Sequence, residues 1–293
     1  MKTAVMTDSN SGIKPEEGEK LGVFSLSMPV IIDGKVYFEG KDIEEKEFYD
    51  SMISGKDVTS SQPSPGDVMD MWDSILENGY DEVVYIPMSS GLSASCHAAI
   101  QLSEEYDGKV QVVDNHRISV TMREAVKDAK WMADNGVSAK EIKDALEKNA
   151  YDSVIFLTVD DLKYLKKGGR ITPAAATLGA VLNIKPILTT VGEKFDAIEK
   201  VRGMKKSVAK LLDYTEEFVN KTLAEKPDAE IRIGAAGTFT NDQAAEEWYN
   251  EVKERFPNVK DIYYNPLSFS ICCHTGPDAV GIGVSVILRN EQI

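Results

Sequence analysis

The residues of this 293-residue chain best suited to chemistry are hydroxyls, and they gather in two short turns. The first is Ser60-Ser61-Gln62-Pro63-Ser64-Pro65-Gly66, with Ser64 placed to cap a helix and Pro65 at its first position. Taken alone it is a helix-start loop whose upstream hydroxyls and amides are able to face an anion. The second, Pro87-Met88-Ser89-Ser90-Gly91-Leu92-Ser93-Ala94-Ser95, follows an apolar run at Glu82–Ile86 and opens a helical pattern. Amides at a helix start favour a negative group, and several hydroxyls donate to a carboxylate without adding charge. A nucleophilic serine is the rival reading. Gly91-Leu92-Ser93-Ala94-Ser95 approaches G-x-S-x-G but lacks the last glycine of that elbow. Its histidine would be His97, His116 or His274, and a serine esterase or thioesterase built from Ser93 and His274 remains the alternative.

Two further segments carry charge or titrate. Leu165-Lys166-Lys167-Gly168-Gly169-Arg170-Ile171-Thr172-Pro173 joins two helical patterns, with glycines that let the backbone bring Arg170 close to a ligand or partner. Its cations also suit a helix C-terminus, and Lys185, Arg202, Lys205 and Lys206 extend a basic spot on an acidic chain. Cys272-Cys273-His274-Thr275-Gly276-Pro277-Asp278 reads as a loop before the last strand, with His274 able to donate a hydrogen bond or titrate near neutrality.

The elements that must position these groups fall into two rhythms. In the first half, strands at Thr3–Met6, Glu82–Ile86, Val110–Val113 and Ser153–Leu157 alternate with helices near Pro65–Glu77, Ser93–Tyr106, Ser119–Asn135 and Ser138–Asn149. That alternation predicts a parallel sheet covered on both faces, a three-layer α/β domain that binds ligands at the carboxyl ends of its strands. The second half predicts a hairpin of Ile184–Thr190 and Lys194–Val201 turning at Val191-Gly192-Glu193, and a long helix over Met204–Ala224. A strand at Glu230–Ala236, a helix at Thr240–Phe256 and strands at Asp261–Asn265 and Ala279–Leu288 complete an α+β domain with a mixed sheet. Capping boxes are expected at Ser138-Ala139-Lys140-Glu141 and Thr240-Asn241-Asp242-Gln243. The boundary is placed near residue 160, giving domains 1–160 and 161–293 with a ligand groove between them.

Composition narrows the functions. The 33 basic and 48 acidic residues give a net charge of −15, which disfavours nucleic acid and anionic membrane surfaces. Three cysteines, two of them adjacent, make a poor disulfide framework and fit a reducing cytoplasm. No zinc spacing, signal peptide or run of about 20 apolar residues occurs, so neither a metal nor stable membrane insertion is expected. Neither a P-loop nor a G-x-G-x-x-G phosphate loop is present, since position 286, where the third glycine would follow Gly281 and Gly283, is valine.

Taken in order, these segments resemble the DegV family across nearly the whole chain. Thr7-Asp8-Ser9 resembles the family's start, Ser60-Ser61-Gln62-Pro63-Ser64 its T-S-Q-P-S loop and Ser89-Ser90-Gly91-Leu92-Ser93 its S-S-G-L-S turn. Lys167-Gly168-Gly169-Arg170-Ile171, followed by Leu182-Asn183-Ile184-Lys185-Pro186-Ile187, resembles its K-G-G-R-I region, and His274-Thr275-Gly276-Pro277 its H-T-G-P-G stretch. The resemblance implies a two-domain binding protein, a monomer without a catalytic site or cofactor, that holds one long-chain fatty acid such as palmitate, stearate or oleate between its domains. It also implies a bacterial partner, an ATP-dependent fatty acid kinase that phosphorylates the presented carboxylate so that the acyl phosphate enters phospholipid synthesis. A stand-alone lipid sensor or transport protein is the version without that kinase. Carried over by motif, Ser60, Ser61, Gly91, Leu92, Ser93 and His274 would hold the carboxylate. Arg170, Arg202 and Thr275 would lie in the head-group vicinity or at the kinase interface. Ser60 stands for the family's threonine, Ala94-Ser95 for Gly-Thr, and Asp278 for a glycine, which would put a negative charge near the head group.

Overall fold

The computed structural model describes residues 2–180 and 183–289. Its first sheet is parallel, ordered β2-β1-β6-β7 (Phe24–Leu26, Thr3–Asp8, Glu82–Ile86, Val110–Val112). Both faces of β1 and β6 are apolar, as a sheet covered twice requires. Ala4, Met6, Val83 and Tyr85 pack on Trp72 and Ile75 of α3 (Pro65–Glu77) and Cys96 of α4 (Ser95–Ser103). Val5, Val84 and Ile86 face Met122 and Ala125 of α5 (Ser119–Asp134) and Ile142 of α6 (Ala139–Lys148). The expected box at α6 is present: the Glu141 amide donates to Ser138 Oγ at 3.3 Å and the Ser138 amide donates to the Glu141 carboxylate at 3.2 Å.

The second sheet is mixed and six-stranded, ordered β10-β9-β8-β13-β11-β12 (Asp196–Glu199, Ile187–Thr190, Ser153–Thr158, Val280–Val286, Ile231–Gly237, Asp261–Pro266). The strand β8, expected as the last member of the parallel sheet, pairs antiparallel with β9 and β13 instead. The chain therefore changes sheets between Val112 and Ser153, ahead of residue 160. Local periodicity cannot make this distinction, because a strand buried on both faces reads alike in either sheet. The hairpin forms as expected, although its first strand begins only at Ile187. Leu211 and Val219 of α9 (Met204–Glu225) and Trp248 and Val252 of α10 (Asp242–Arg255) cover one face through Phe156, Ile233, Ile282 and Val284. Asn241, not Thr240, caps α10, accepting from the Ala244 amide at 2.9 Å. The other face meets α5, which thus lies between the two sheets and joins the halves without a linker.

A third, antiparallel sheet, β4-β3-β5 (Lys35–Phe38, Pro29–Ile32, Val58–Ser60), was not expected. Its strands span only three or four residues, too few to show an alternation. It carries α2 (Glu45–Ile53) and α11 (Phe269–Thr275), whose Phe48 and Phe269 rings stack at 4.3 Å. Short helices α1 (Pro15–Leu21), α7 (Lys163–Gly168) and α8 (Pro173–Ala176) complete the chain, and among the described residues no helix is long and apolar enough to cross a membrane.

Candidate functional site

The carboxyl end of β6, the end of β5, the α7–α8 connection and α11 converge on a cleft between the halves. Its space, opening to solvent included, is about 550 Å³. Ser60, Ser61, Leu92, Ser93, Arg170, His274 and Thr275 all line it, so these sequence-selected residues share one chamber.

Ser60 is the last residue of β5, not part of a free loop, and His274 sits in the last turn of α11, not in a loop. Packing α11 on the small sheet brings Ser60 Oγ to 2.9 Å from His274 Nε2. Nδ1 of the same ring is buried and has no hydrogen-bond partner among the described residues. It abuts Gly168, where a Cβ would fall 2.0 Å from Nδ1, so the first glycine of the basic loop is required by the imidazole. Burial, helped by the nearby Arg170 guanidinium, lowers the His274 pKa to about 4, which leaves the ring neutral at pH 7. Arg170 Nε donates to the Leu92 carbonyl at 3.0 Å and Nη1 to the Gly168 carbonyl, tying the serine turn of one half to the glycine loop of the other. No carboxylate among the described residues pairs with Arg170.

The serine turn is more internally committed than its sequence implies. The Gly91 amide donates to Ser89 Oγ at 3.2 Å, and the Leu92 and Ser93 amides both donate to the Ser89 carbonyl at 3.1 Å. Gly91 and Leu92 therefore offer no free amide to an anion, and Gly91 does not line the chamber. Leu92 and Ser93 line the chamber, and the Ser93 hydroxyl accepts from the Ser95 amide at 3.2 Å. The helix begins at Ser95, two residues later than expected. Ser89 Oγ crosses to the β9–β10 hairpin, donating to the Gly192 carbonyl at 2.5 Å.

Ser61 lies at the exposed rim, its hydroxyl donating to the Gln62 carbonyl at 2.8 Å. Arg202 is exposed and outside the lining. The basic spot is partly neutralised, since Lys167 pairs with Asp57 and Lys185 with Asp160, both at 2.5 Å. Asp278 is also exposed and absent from the lining, which removes the expected conflict with a head group. Its φ of 57° lies in the left-handed region, the backbone reason for a glycine at this position of the motif. Leu182, part of the quoted motif, lies outside the described residues.

Beside the polar chamber is a second one, of about 400 Å³ with its open space included, lined almost wholly by apolar groups. The two share Ile118, Phe195, Ile271 and Thr275, and the second is also lined by Val120 of α5 and by Leu157, Ala236 and Gly281 of the mixed sheet. Thr275 apart, sequence reasoning missed these residues because each reads as ordinary core and they are scattered over more than 150 positions of the chain. The hairpin turn signal, which delivers Phe195, was the one available hint.

A parallel-sheet domain and a mixed-sheet domain with such a cleft between them define a two-domain α/β protein of ligand-binding architecture. The DegV family model, described as one of uncharacterised proteins, matches residues 2–286, and the chain belongs to the DegV family. A DegV domain-containing protein of Deinococcus radiodurans is 31% identical over 287 residues, covering 97% of this chain and 98% of its own. The solved structure of a DegV family protein from Thermus thermophilus, described for its fatty acid binding, superposes with a TM-score of 0.86 at 29% identity, covering 98% of this chain and 100% of that one. DegV of Bacillus subtilis, described as a fatty acid binding protein, gives 0.84 at 26% identity over 98% and 99% of the two chains.

Proposed function

We propose that this protein binds one long-chain fatty acid, with its carboxylate among Ser60, Ser93, His274 and Arg170 and its tail in the apolar chamber. The observation that carries the reading is that a hydroxyl-lined chamber and an apolar one adjoin, with Ile118, Phe195, Ile271 and Thr275 in the walls of both. The fatty acid binding of the Thermus and Bacillus relatives supports it. Burying some fourteen methylenes of a sixteen-carbon acid supplies on the order of 11 kcal/mol of transfer free energy, which immobilisation partly offsets. An ionised carboxylate needs donors at the other end. Neutral His274 serves best with its proton on Nε2, donating to Ser60 Oγ. That tautomer leaves a lone pair rather than an N–H unpaired at buried Nδ1 and frees the Ser60 hydroxyl hydrogen for the ligand.

The rim position of Ser61 and Gln62 keeps the head group near solvent. This suits presentation of the carboxylate to an ATP-dependent kinase on another polypeptide, because the chain has no phosphate-loop motif of its own. Geometry weighs against the hydrolase alternative. His274 Nε2 bonds Ser60 rather than Ser93, no carboxylate orients Nδ1, and a pKa near 4 makes a weak base. The test is titration of the delipidated protein with palmitate, stearate and oleate, alongside acyl ester turnover and fluorophosphonate labelling. Stoichiometric acid binding without turnover or labelling is expected, and coupling to a cognate kinase and ATP should yield acyl phosphate. Ester turnover by the protein alone, with labelling at Ser93 or Ser60, would establish the hydrolase instead.

A further inference from the structure

Three glycines on the inner face of the mixed sheet look alike in sequence but differ in what surrounds them. At Gly234 and Gly283 a Cβ would fall 2.5 Å from Val120 side-chain carbons, so their smallness lets α5 seat on the sheet. At Gly281 the nearest atoms to a Cβ are Leu157 Cδ1 at 3.4 Å, the Phe156 carbonyl oxygen at 3.7 Å and the Ala236 carbonyl oxygen at 3.8 Å, all ordinary contacts. Its φ is not positive either. A glycine inside a strand lowers stability relative to alanine and packs nothing. Neither backbone nor protein packing requires one here, between the register partners Leu157 and Ala236. These three residues line the apolar chamber together, and Val120, wedged onto Gly234 and Gly283, walls it beyond them.

We infer that Gly281 is a specificity residue: its missing side chain leaves room for the distal methylenes of the acyl chain, and Gly281 with Ala236 sets the longest chain the protein accepts. The inference rests on the fatty acid reading and adds where the tail ends and which residue measures it. A side chain at 281 would occupy the floor of the chamber while leaving Ser60, Ser93, Arg170 and His274 untouched.

The experiment compares wild type, Gly281→Ala and Gly281→Leu with laurate, myristate, palmitate and stearate, by displacement of a fluorescent acid from delipidated protein. Thermal unfolding is followed in parallel. Gly281→Ala should melt at or above the wild-type temperature, as a strand alanine replacing an unneeded glycine. Gly281→Leu should weaken stearate by about fourfold for each methylene kept out of the chamber, on the order of 10–50-fold in all, with laurate within about threefold of wild type. Equal losses at every chain length, or no loss for stearate in a folded Gly281→Leu protein, would overturn the inference alone. Failure of the wild-type protein to bind any of the four acids overturns the underlying reading and this inference with it.

Discussion

Replacing Ser60 by alanine removes one hydroxyl and tests both ends of its hydrogen bond. In the folded protein it strips the 2.9 Å partner from His274 Nε2, while Nδ1 of that ring already has none. A buried polar group left unpaired costs about 1–3 kcal/mol. His274 is not wholly enclosed, so water will meet part of the need and the stability loss should sit near the lower figure, about 1 kcal/mol. For the ligand, a hydroxyl donating to a carboxylate is worth about 1.5–3 kcal/mol, or roughly 10–100-fold in Kd. The discriminating assay pairs palmitate with hexadecanol, which shares the tail and lacks the charge. Ser60→Ala should weaken the acid 10–100-fold, leave the alcohol within about threefold, and be rescued by Ser60→Thr, which keeps the hydroxyl. Equal weakening of acid and alcohol, or no change for the acid, would refute the placement of the carboxylate beside Ser60.

Three further outcomes follow from the same geometry. The folded pKa of His274 lies near 4, below its ordinary 6.5, so its contribution to stability is complete above pH 6.5 and lost as the pH falls toward 4. At pH 5 the loss should be about 1–2 kcal/mol in urea unfolding. Asp8 and Glu39, whose carboxyls burial pushes up to about 6 and about 7, act with the opposite sign, so the difference between wild type and His274→Gln isolates the histidine. Gly168→Ala places a methyl 2.0 Å from His274 Nδ1 and should destabilise by about 1–3 kcal/mol while weakening palmitate, measured by unfolding and titration. Asp278→Gly relieves a left-handed aspartate outside the cleft; it should change stability by less than about 1 kcal/mol and leave palmitate affinity unchanged, in contrast to the expectation from sequence.

The elements whose signals are local were legible in the chain. The helix at Pro65–Glu77 begins at Ser64 because the serine caps it and the proline presets its first turn, and both signals are in the sequence. The strand at Glu82–Ile86 is continuous and apolar because both its faces are covered. What depends on long-range pairing was not legible. The sheet to which Ser153–Thr158 belongs is decided by residues 187–190 and 280–286, and the three-stranded sheet by contacts among strands too short to show a period. The serines, arginine and histidine that line the cleft were legible because those residue types stand out in the sequence, and the motif resemblance ordered them. The folding of the turn back on Ser89, which engages the Gly91 and Leu92 amides, is a tertiary detail that composition does not encode. The apolar chamber was invisible for a related reason: Ile118, Phe195 and Gly281 are core-like residues whose meaning comes only from the space between them.

The most direct test of the account is native mass spectrometry of the protein purified from a bacterial host, with lipid extraction and mass identification of what is released. One long-chain fatty acid per chain, lost on delipidation and restored by adding the acid, is the predicted result. A protein that carries no acid and takes none up when palmitate, stearate or oleate is supplied would contradict it.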